Sequence, residues 1–402
     1  MDRRRLLPIL LIVFVNFFGA TIVLPSIPLY AKREFGASPE VISLILAAFF
    51  IAQFLASPWI GRLSDRYGRV PVLVISQFGT FLSFVLMAAA GSVTLLFIAR
   101  VLDGITGGNI IVAQAYVTDV TPREKRTQAL GLVFAAFGLG FILGPALGGI
   151  LAATFGDRAP FYVGAIVALI TVFITYFTLD ESLTAEERMA RRERAASVHL
   201  GLRDIFAITP LVLILIIAFA TQFSVALLQA TIALFGEAVI FAGYDESTVS
   251  LGVGLLLTSI GVGQVITQTL LLRPAIARFG ERRLVVMGAV LRAVALYSLL
   301  VITSPWLIGS FSLLALAIAG GVMLPSLQST ATTTVSEDVS GSVLGVFQSA
   351  ASLGIIIGTS IGGQLFAIAP TLPYAVGGTA VALIIVPAVI LLRMDRAQPV
   401  PA

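Results

Sequence analysis

The chain has 402 residues, 58% of them hydrophobic and 11% charged, with a mean hydropathy of +1.03 and a net charge of +4. Water-soluble domains carry about 25% charged residues, so an ordinary soluble enzyme or binding module is excluded. Cysteine is absent, which excludes disulfides, thiolate metal sites and thiol redox chemistry.

In chain order, twelve apolar runs approach or exceed the about 20 residues that cross a bilayer: 6–30, 41–60, 71–91, 93–117, 128–153, 160–179, 209–236, 248–272, 284–303, 306–334, 343–368 and 374–392. An all-α polytopic membrane protein with twelve transmembrane helices is expected. The first run follows Arg3, Arg4 and Arg5 and continues to full spanning length with no A-x-A-like site after it, so it reads as a span. With the N-terminus inside, the inner loops hold 20 of the 25 Lys and Arg residues and the outer loops only Lys32, Arg33 and Arg158. That asymmetry places both termini in the cytoplasm. The basic charge orients the chain, and no nucleic-acid partner is expected.

Between spans two and three lies the sequence GRLSDRYGR over residues 61–69. Gly61 and Gly68 suit a tight reversal, and Asp65, Arg66 and Arg69 give it both signs of charge. Asp119 ends span four and Arg126 begins span five, and both are candidates to join Arg69 in a charge network. Span four itself carries Arg100 and Asp103, one turn apart on one face, followed by Gly104, Gly107, Gly108 and Asn109. Ionisable groups deep in a membrane are costly and are functional candidates by default. Asp103 is the carboxylate placed well inside a span, and it reads either as half of a static ion pair or as a proton carrier. Span five holds Gly140, Gly144, Pro145, Gly148 and Gly149, where proline removes a backbone donor and the glycines permit close packing.

A charged stretch over 180–207, including the single histidine His199, divides the chain into halves 1–179 and 208–402 and reads as a solvated cytoplasmic linker. Shifting the first half by 214 residues superposes Gly140, Gly144, Gly148 and Gly149 on Gly354, Gly358, Gly362 and Gly363, and Gln114 on Gln328. The halves are copies of one six-helix template. Small residues recur every fourth position on spans two (Ala48, Ala52, Ala56), five, eight (Ser250, Gly254, Thr258) and eleven. These stripes are expected to form contacts between the halves.

The loop over 61–69 resembles the signature of the major facilitator superfamily. GFILGPALGG over 140–149 looks like the fifth-helix motif of its drug:proton antiporters, and the DGITGGN over 103–109 is similar to that of tetracycline-efflux-like members. The resemblance implies two pseudo-symmetric six-helix bundles, alternating access, a cytoplasmic latch built on the 61–69 loop, and proton transfer at the Arg100–Asp103 motif. It implies a proton-coupled exporter in a bacterial cytoplasmic membrane, which is no enzyme. Its expected partners are a small-molecule substrate, protons and membrane lipids, and it is expected to act as a monomer.

No P-loop sequence exists, since neither lysine follows a glycine, so an ion gradient is the expected energy source, with no cofactor or metal. Polar and aromatic candidates for a substrate cavity are Asn16, Gln53, Asn109, Gln114, Gln222, Gln229 and Gln328, with Phe137 and Phe141. An apolar pocket with a few amides suits lipophilic or amphipathic compounds. A lipid or glycolipid flippase, and an importer or uniporter of a polar metabolite, are the alternatives. Arg292, inside span nine, is expected to snorkel or to pair with a polar neighbour, the alternative being a lipid or an anionic substrate.

Overall fold

A computed structural model describes residues 3–107, 109–122, 126–182, 208–302, 304–335 and 340–394. The linker over 183–207 and the side chains of Asn109 and Arg126 lie outside the described residues. No β-strand forms among those described. This follows from the solvent: within hydrocarbon a chain must satisfy its own backbone groups, and a helix does so internally.

The first half contains α1 (Arg3–Ile22), α2 (Ser26–Phe35), α3 (Pro39–Tyr67), α4 (Arg69–Ala88), α5 (Val93–Thr106), α6 (Asn109–Asp119), α7 (Arg126–Phe155) and α8 (Ala159–Thr178). The second contains α9 (Thr209–Phe235), α10 (Glu246–Ile266), α11 (Leu272–Phe279), α12 (Glu281–Ser298), α13 (Leu314–Thr333), α14 (Ser340–Ile368), α15 (Leu372–Leu383) and α16 (Ile385–Arg393). Short π-helical turns join some of these, as at Gly236–Ile240 and Thr267–Leu271. Eleven helical segments among the described residues are long and apolar enough to cross a membrane. The twelfth expected span is present as α12, but Glu281, Arg282, Arg283 and Arg292 within its 18 residues lower its hydropathy.

Three boundaries differ from expectation. The 61–69 motif is not a loop: α3 runs on through Tyr67, and Gly68 is the one non-helical residue before α4. Gly68 has φ +108°, a conformation that suits glycine, whereas Gly61 is an ordinary helical residue. The equivalent joint in the second half is again one glycine, Gly280 at φ +75° between α11 and α12. Span four is interrupted, with α5 ending at Thr106 and α6 starting at Asn109. Span one is interrupted between Ile22 and Ser26, where Pro25 has no N–H to continue the ladder.

The chain divides into two compact units. One comprises Met1–Ala37, Ile45–Ser197 and Gly243–Thr258; the other comprises Ser38–Leu44, Val198–Ala242 and Ser259–Ala402. In the first, α1 packs along α7, and α4 along α8 and α5. In the second, α9 packs along α14, and α12 along α13 and α15. In the first unit, the two arginines expected in outer loops each meet an acid. Arg33 pairs with Asp157 at 3.1 Å and Arg158 with Glu34 at 2.5 Å. In the same unit Asp245 caps α10, and its bonds from the Ser247 and Thr248 hydroxyls and the Thr248 N–H hold its carboxyl below the usual range.

The stripe on span eight packs on span five, as expected of contacts between the halves, with Gly254 against Pro145 and Gly149 and the Thr258 hydroxyl donating to the Ile142 carbonyl. The stripes Gly140, Gly144 and Gly148 on span five and Gly354 and Gly358 on span eleven instead pack inside their own halves, contrary to expectation. A Cβ on Gly144 would strike Thr21, and one on Gly148 the Ile22 carbonyl, both on α1. Gly354 and Gly358 face the backbone of Phe219 and Phe223 on α9 in the same way. The reason is direct: spans one and seven offer bare backbone that only a small residue can approach. Gly149 and Gly363, which interrupt the fourfold spacing, face different neighbours, the Ser250–Gly254 segment and the Pro39 carbonyl respectively.

Gly148→Ala is therefore expected to lower the thermal midpoint in detergent, at a cost of about 1–3 kcal/mol for overpacking. Gly131→Ala, whose Cβ meets nothing within 4 Å, is expected to leave the midpoint unchanged or raise it. Equal losses in both variants would contradict the packing described.

Candidate functional site

Two further charged clusters occur among the described residues of the first unit. One, where α3 meets α4, is built on Arg69. Its side chain is 4% exposed and reaches three partners: Asp65 at 2.7 Å, Asp119 at 3.0 Å and the Ser64 hydroxyl at 2.5 Å. The one-residue joint at Gly68 makes this possible, because it folds the first turn of α4 back onto the last turn of α3. Glu181 completes the cluster. Its carboxylate accepts hydrogen bonds from the N–H groups of Arg69 and Val70 at 2.9 and 3.2 Å, capping the start of α4 where the helix dipole favours an anion. The Ser182 hydroxyl donates to Asp119, and the Tyr116 hydroxyl to the Asp180 carbonyl, so the end of α8 is tied to α6.

Of the residues expected here, Asp65, Arg69 and Asp119 are brought together. Arg66 lies over its neighbour Tyr67 instead, and the Arg126 side chain is outside the described residues. Ser64 and Glu181 were missed. An acid following span six gave no sign of which helix it would cap.

The other is the Arg100–Asp103 pair on α5. Arg100 Nη1 lies 2.6 Å from Asp103 Oδ2, and both residues are under 10% exposed. Glycines set its surroundings. Gly104 leaves room for the Phe49 carbonyl and Ala52 of α3, and Gly79 of α4 leaves room for Thr106. With α3 and α4 drawn in, the Arg100 guanidinium stacks on the Phe49 ring at 4.4 Å, and Ser83 of α4, whose hydroxyl donates to the Thr80 carbonyl at 2.8 Å, lies near Asp103. Just beyond, Gln53 Nε2 donates to the Gly107 carbonyl at 2.9 Å, satisfying a backbone group freed by the break in span four.

The substrate candidates separate. Asn16, Phe137 and Phe141 gather around Phe17, whose ring centroid lies 4.9 Å from Phe137 and 6.4 Å from Phe141. Gln53 is committed to Gly107. Gln114 is half-buried on α6, and in the second unit Gln222, Gln229 and Gln328 are half-buried. The side chain of Asn109 is outside the described residues. Gly140, Gly144 and Gly148 line the contact with α1, where the Thr21 hydroxyl donates to the Gly140 carbonyl at 2.9 Å. Pro145 lies within α7, its carbonyl against Gly254. Arg292 does not snorkel: it is buried, donates to the Thr221 carbonyl at 3.1 Å, and passes so close to Gly320 that a Cβ there would clash.

Comparison with known proteins agrees with this architecture. The family model described as Major Facilitator Superfamily matches residues 9–252 and 226–402. The class E tetracycline resistance protein of Escherichia coli is 31% identical over 88% of this chain and 86% of its own. Multidrug resistance protein 2 of Bacillus subtilis is 28% identical over 91% and 90%. Among solved structures, a D-xylose-proton symporter matches with a TM-score of 0.78 at 17% identity, covering 98% of this chain and all of the other. The human organic anion transporter MFSD10 matches with a TM-score of 0.70 at 23% identity, over 97% and 99%. At these identities the structural matches speak to the fold alone.

The two acids beside Arg69 differ in exposure, Asp119 at 2% and Asp65 at 53% of the side chain. Asp119→Asn is expected to destabilise the protein by about 3–5 kcal/mol, the loss for one partner of a buried pair. Asp65→Asn is expected to cost about 0–1 kcal/mol, as for an exposed pair. Thermal or denaturant unfolding in detergent checks this, and the reverse order would contradict the geometry.

Proposed function

Because the chain belongs to the Major Facilitator Superfamily, we propose that it is a proton-coupled exporter of small lipophilic or amphipathic compounds. It works by alternating access in a bacterial cytoplasmic membrane, with both termini inside. Its partners are the exported compound, protons and membrane lipids; it acts as a single chain and uses no resident cofactor.

One observation carries the coupling: a carboxylate, Asp103, is buried within an apolar span beside Arg100. A charge in that setting is expensive unless it is paired or has a task. Ionised, Asp103 is held by Arg100. Protonated, it loses that attraction, and Arg100 keeps the Phe49 face, which stabilises a cation without needing an anion. The pair therefore has two arrangements that differ by one proton, as a coupling element requires. The interruption at Gly107, one turn further on, gives span four a joint by which the change is felt along the helix.

The aromatic cluster of Phe17, Phe137 and Phe141 beside Asn16 supports a flat, largely apolar cargo with one or two polar groups. The names of the relatives, tetracycline and multidrug resistance proteins, agree with such a cargo. In this reading the Arg69 cluster is the latch on the inner face. Asp65 is its half-exposed member, so it can break and reform its bond without unfolding the helix ends.

Cells producing the protein are expected to accumulate less tetracycline or ethidium than control cells, and a protonophore is expected to abolish the difference. Asp103→Asn and Asp65→Asn are each expected to slow export at least about tenfold, or about 1.4 kcal/mol in the barrier, at normal membrane levels. Unchanged accumulation of both compounds, with translocation of headgroup-labelled lipid in proteoliposomes, would overturn export in favour of lipid flipping.

A further inference from the structure

Arg292 projects from α12 in the second unit and is 3% exposed. A guanidinium stays charged at physiological pH and carries five N–H donors. One nitrogen is occupied: Nη1 donates to the Thr221 carbonyl of α9 at 3.1 Å. Nε is buried without a hydrogen-bond partner, and Nη2 makes no hydrogen bond among the described residues. No described anion balances the charge. The helices packed on α12 are α13, α15 and α16, and neither they nor α9 contain an acidic residue. The acid of α12 itself, Glu281, lies eleven residues away, about 16 Å along the helix. Its carboxylate accepts from the Ser329 hydroxyl instead. A lone cation in such surroundings is costly and marks a functional position.

The two unpartnered nitrogens share one edge of the guanidinium. Nε and Nη2 direct their N–H bonds side by side, the fork that meets both oxygens of a carboxylate. The Thr221 bond fixes the plane of the group, so the fork is set before a ligand arrives. Gly320 of α13 leaves it room. A Cβ there would lie 2.6 Å from Nη2 and 3.9 Å from Cζ, and outside α13 no other described atom comes within 4 Å of it.

We propose that the Nε–Nη2 edge of Arg292 binds an oxyanion on the cargo, so that the exported compounds are amphiphiles bearing a carboxylate or an ionised enol. The inference rests on the export reading and names its cargo class. The fork sits where α9 meets α13, the helices that carry Gln222, Gln229 and Gln328. A phospholipid headgroup offers the same oxyanion chemistry, but it would approach from the wrong side. Met287, Val290, Val294 and Tyr297 are exposed and form the apolar face that α12 turns to lipid. Arg292 lies on the opposite face.

The test is equilibrium binding of pyrenebutyrate and pyrenebutanol to the purified full-length protein in detergent near neutral pH. The two probes share a flat apolar body and differ in the carboxylate. The wild type is expected to bind the carboxylate at least about tenfold more tightly, as for a hydrogen bond between charged groups. Arg292→Met is expected to bind both probes equally, with a thermal midpoint unchanged or raised, because an unbalanced buried charge is gone. Arg292→Lys keeps the charge without the fork and is expected to lose most of the preference. Should Arg292→Met not fold, a full wild-type preference in Arg292→Lys overturns the fork. A purely structural arginine would instead give a lower midpoint in Arg292→Met and no carboxylate preference in the wild type. Equal binding of the probes by the wild type, or no binding of pyrenebutyrate, overturns the oxyanion site. Export then still stands if producing cells exclude tetracycline or ethidium, and falls if they do not. Added phosphatidylglycerol is expected to leave the preference in place; its disappearance assigns the fork to a lipid headgroup and overturns the cargo assignment.

Discussion

The Arg100–Asp103 contact, 2.6 Å long and shut away from water, constrains everything around it. Two opposite charges taken out of water repay their dehydration only when geometry and surroundings are close to ideal. Here the surroundings come from three helices that approach closely through glycines, Gly104 on one side and Gly79 on the other. A larger residue at either point would push α3 or α4 away, and Phe49 and Ser83 with them. The tight packing of this part of the unit and the chemistry of the pair are thus one requirement.

The same economy governs the Arg69 cluster, but with water nearby. Asp119 and the Ser64 hydroxyl are inside and hold Arg69 permanently, whereas Asp65 faces out. A buried partner supplies stability and an exposed one supplies reversibility. Glu181 adds a bond to the backbone rather than to the arginine, so the start of α4 stays capped whatever Asp65 does. In the second unit the corresponding joint at Gly280 keeps the glycine conformation, but Ala277 stands where the acid would be. The turn is retained there without the charge network.

Much of this was legible in the sequence because a bilayer leaves few choices. Long apolar runs become helices, positive charge collects on one side, and a repeat of glycines at a fixed offset reveals a duplicated template. The pairing of Arg69 with Asp119, fifty residues away, was readable from charges placed at span ends. What escaped was whatever depends on how a helix is turned about its axis. The stripes at Gly140–Gly148 and Gly354–Gly362 were visible, but not that they face spans one and seven. The helical course of residues 61–67 was hidden by their polarity, which marks the end of the hydrocarbon rather than the end of the helix. The break at Gly107 had a signal in the adjacent pair Gly107 and Gly108, whereas the capping of its carbonyl by Gln53 had none.

The central claim is that cargo and proton compete through the Arg100–Asp103 pair. Proton release on cargo binding tests it most directly: calorimetric titration of the purified protein with tetracycline in buffers of different ionisation enthalpy. The account predicts release of up to one proton per tetracycline bound, and none in Asp103→Asn. Binding with no proton change in the wild type, or an unchanged release in the variant, would contradict it.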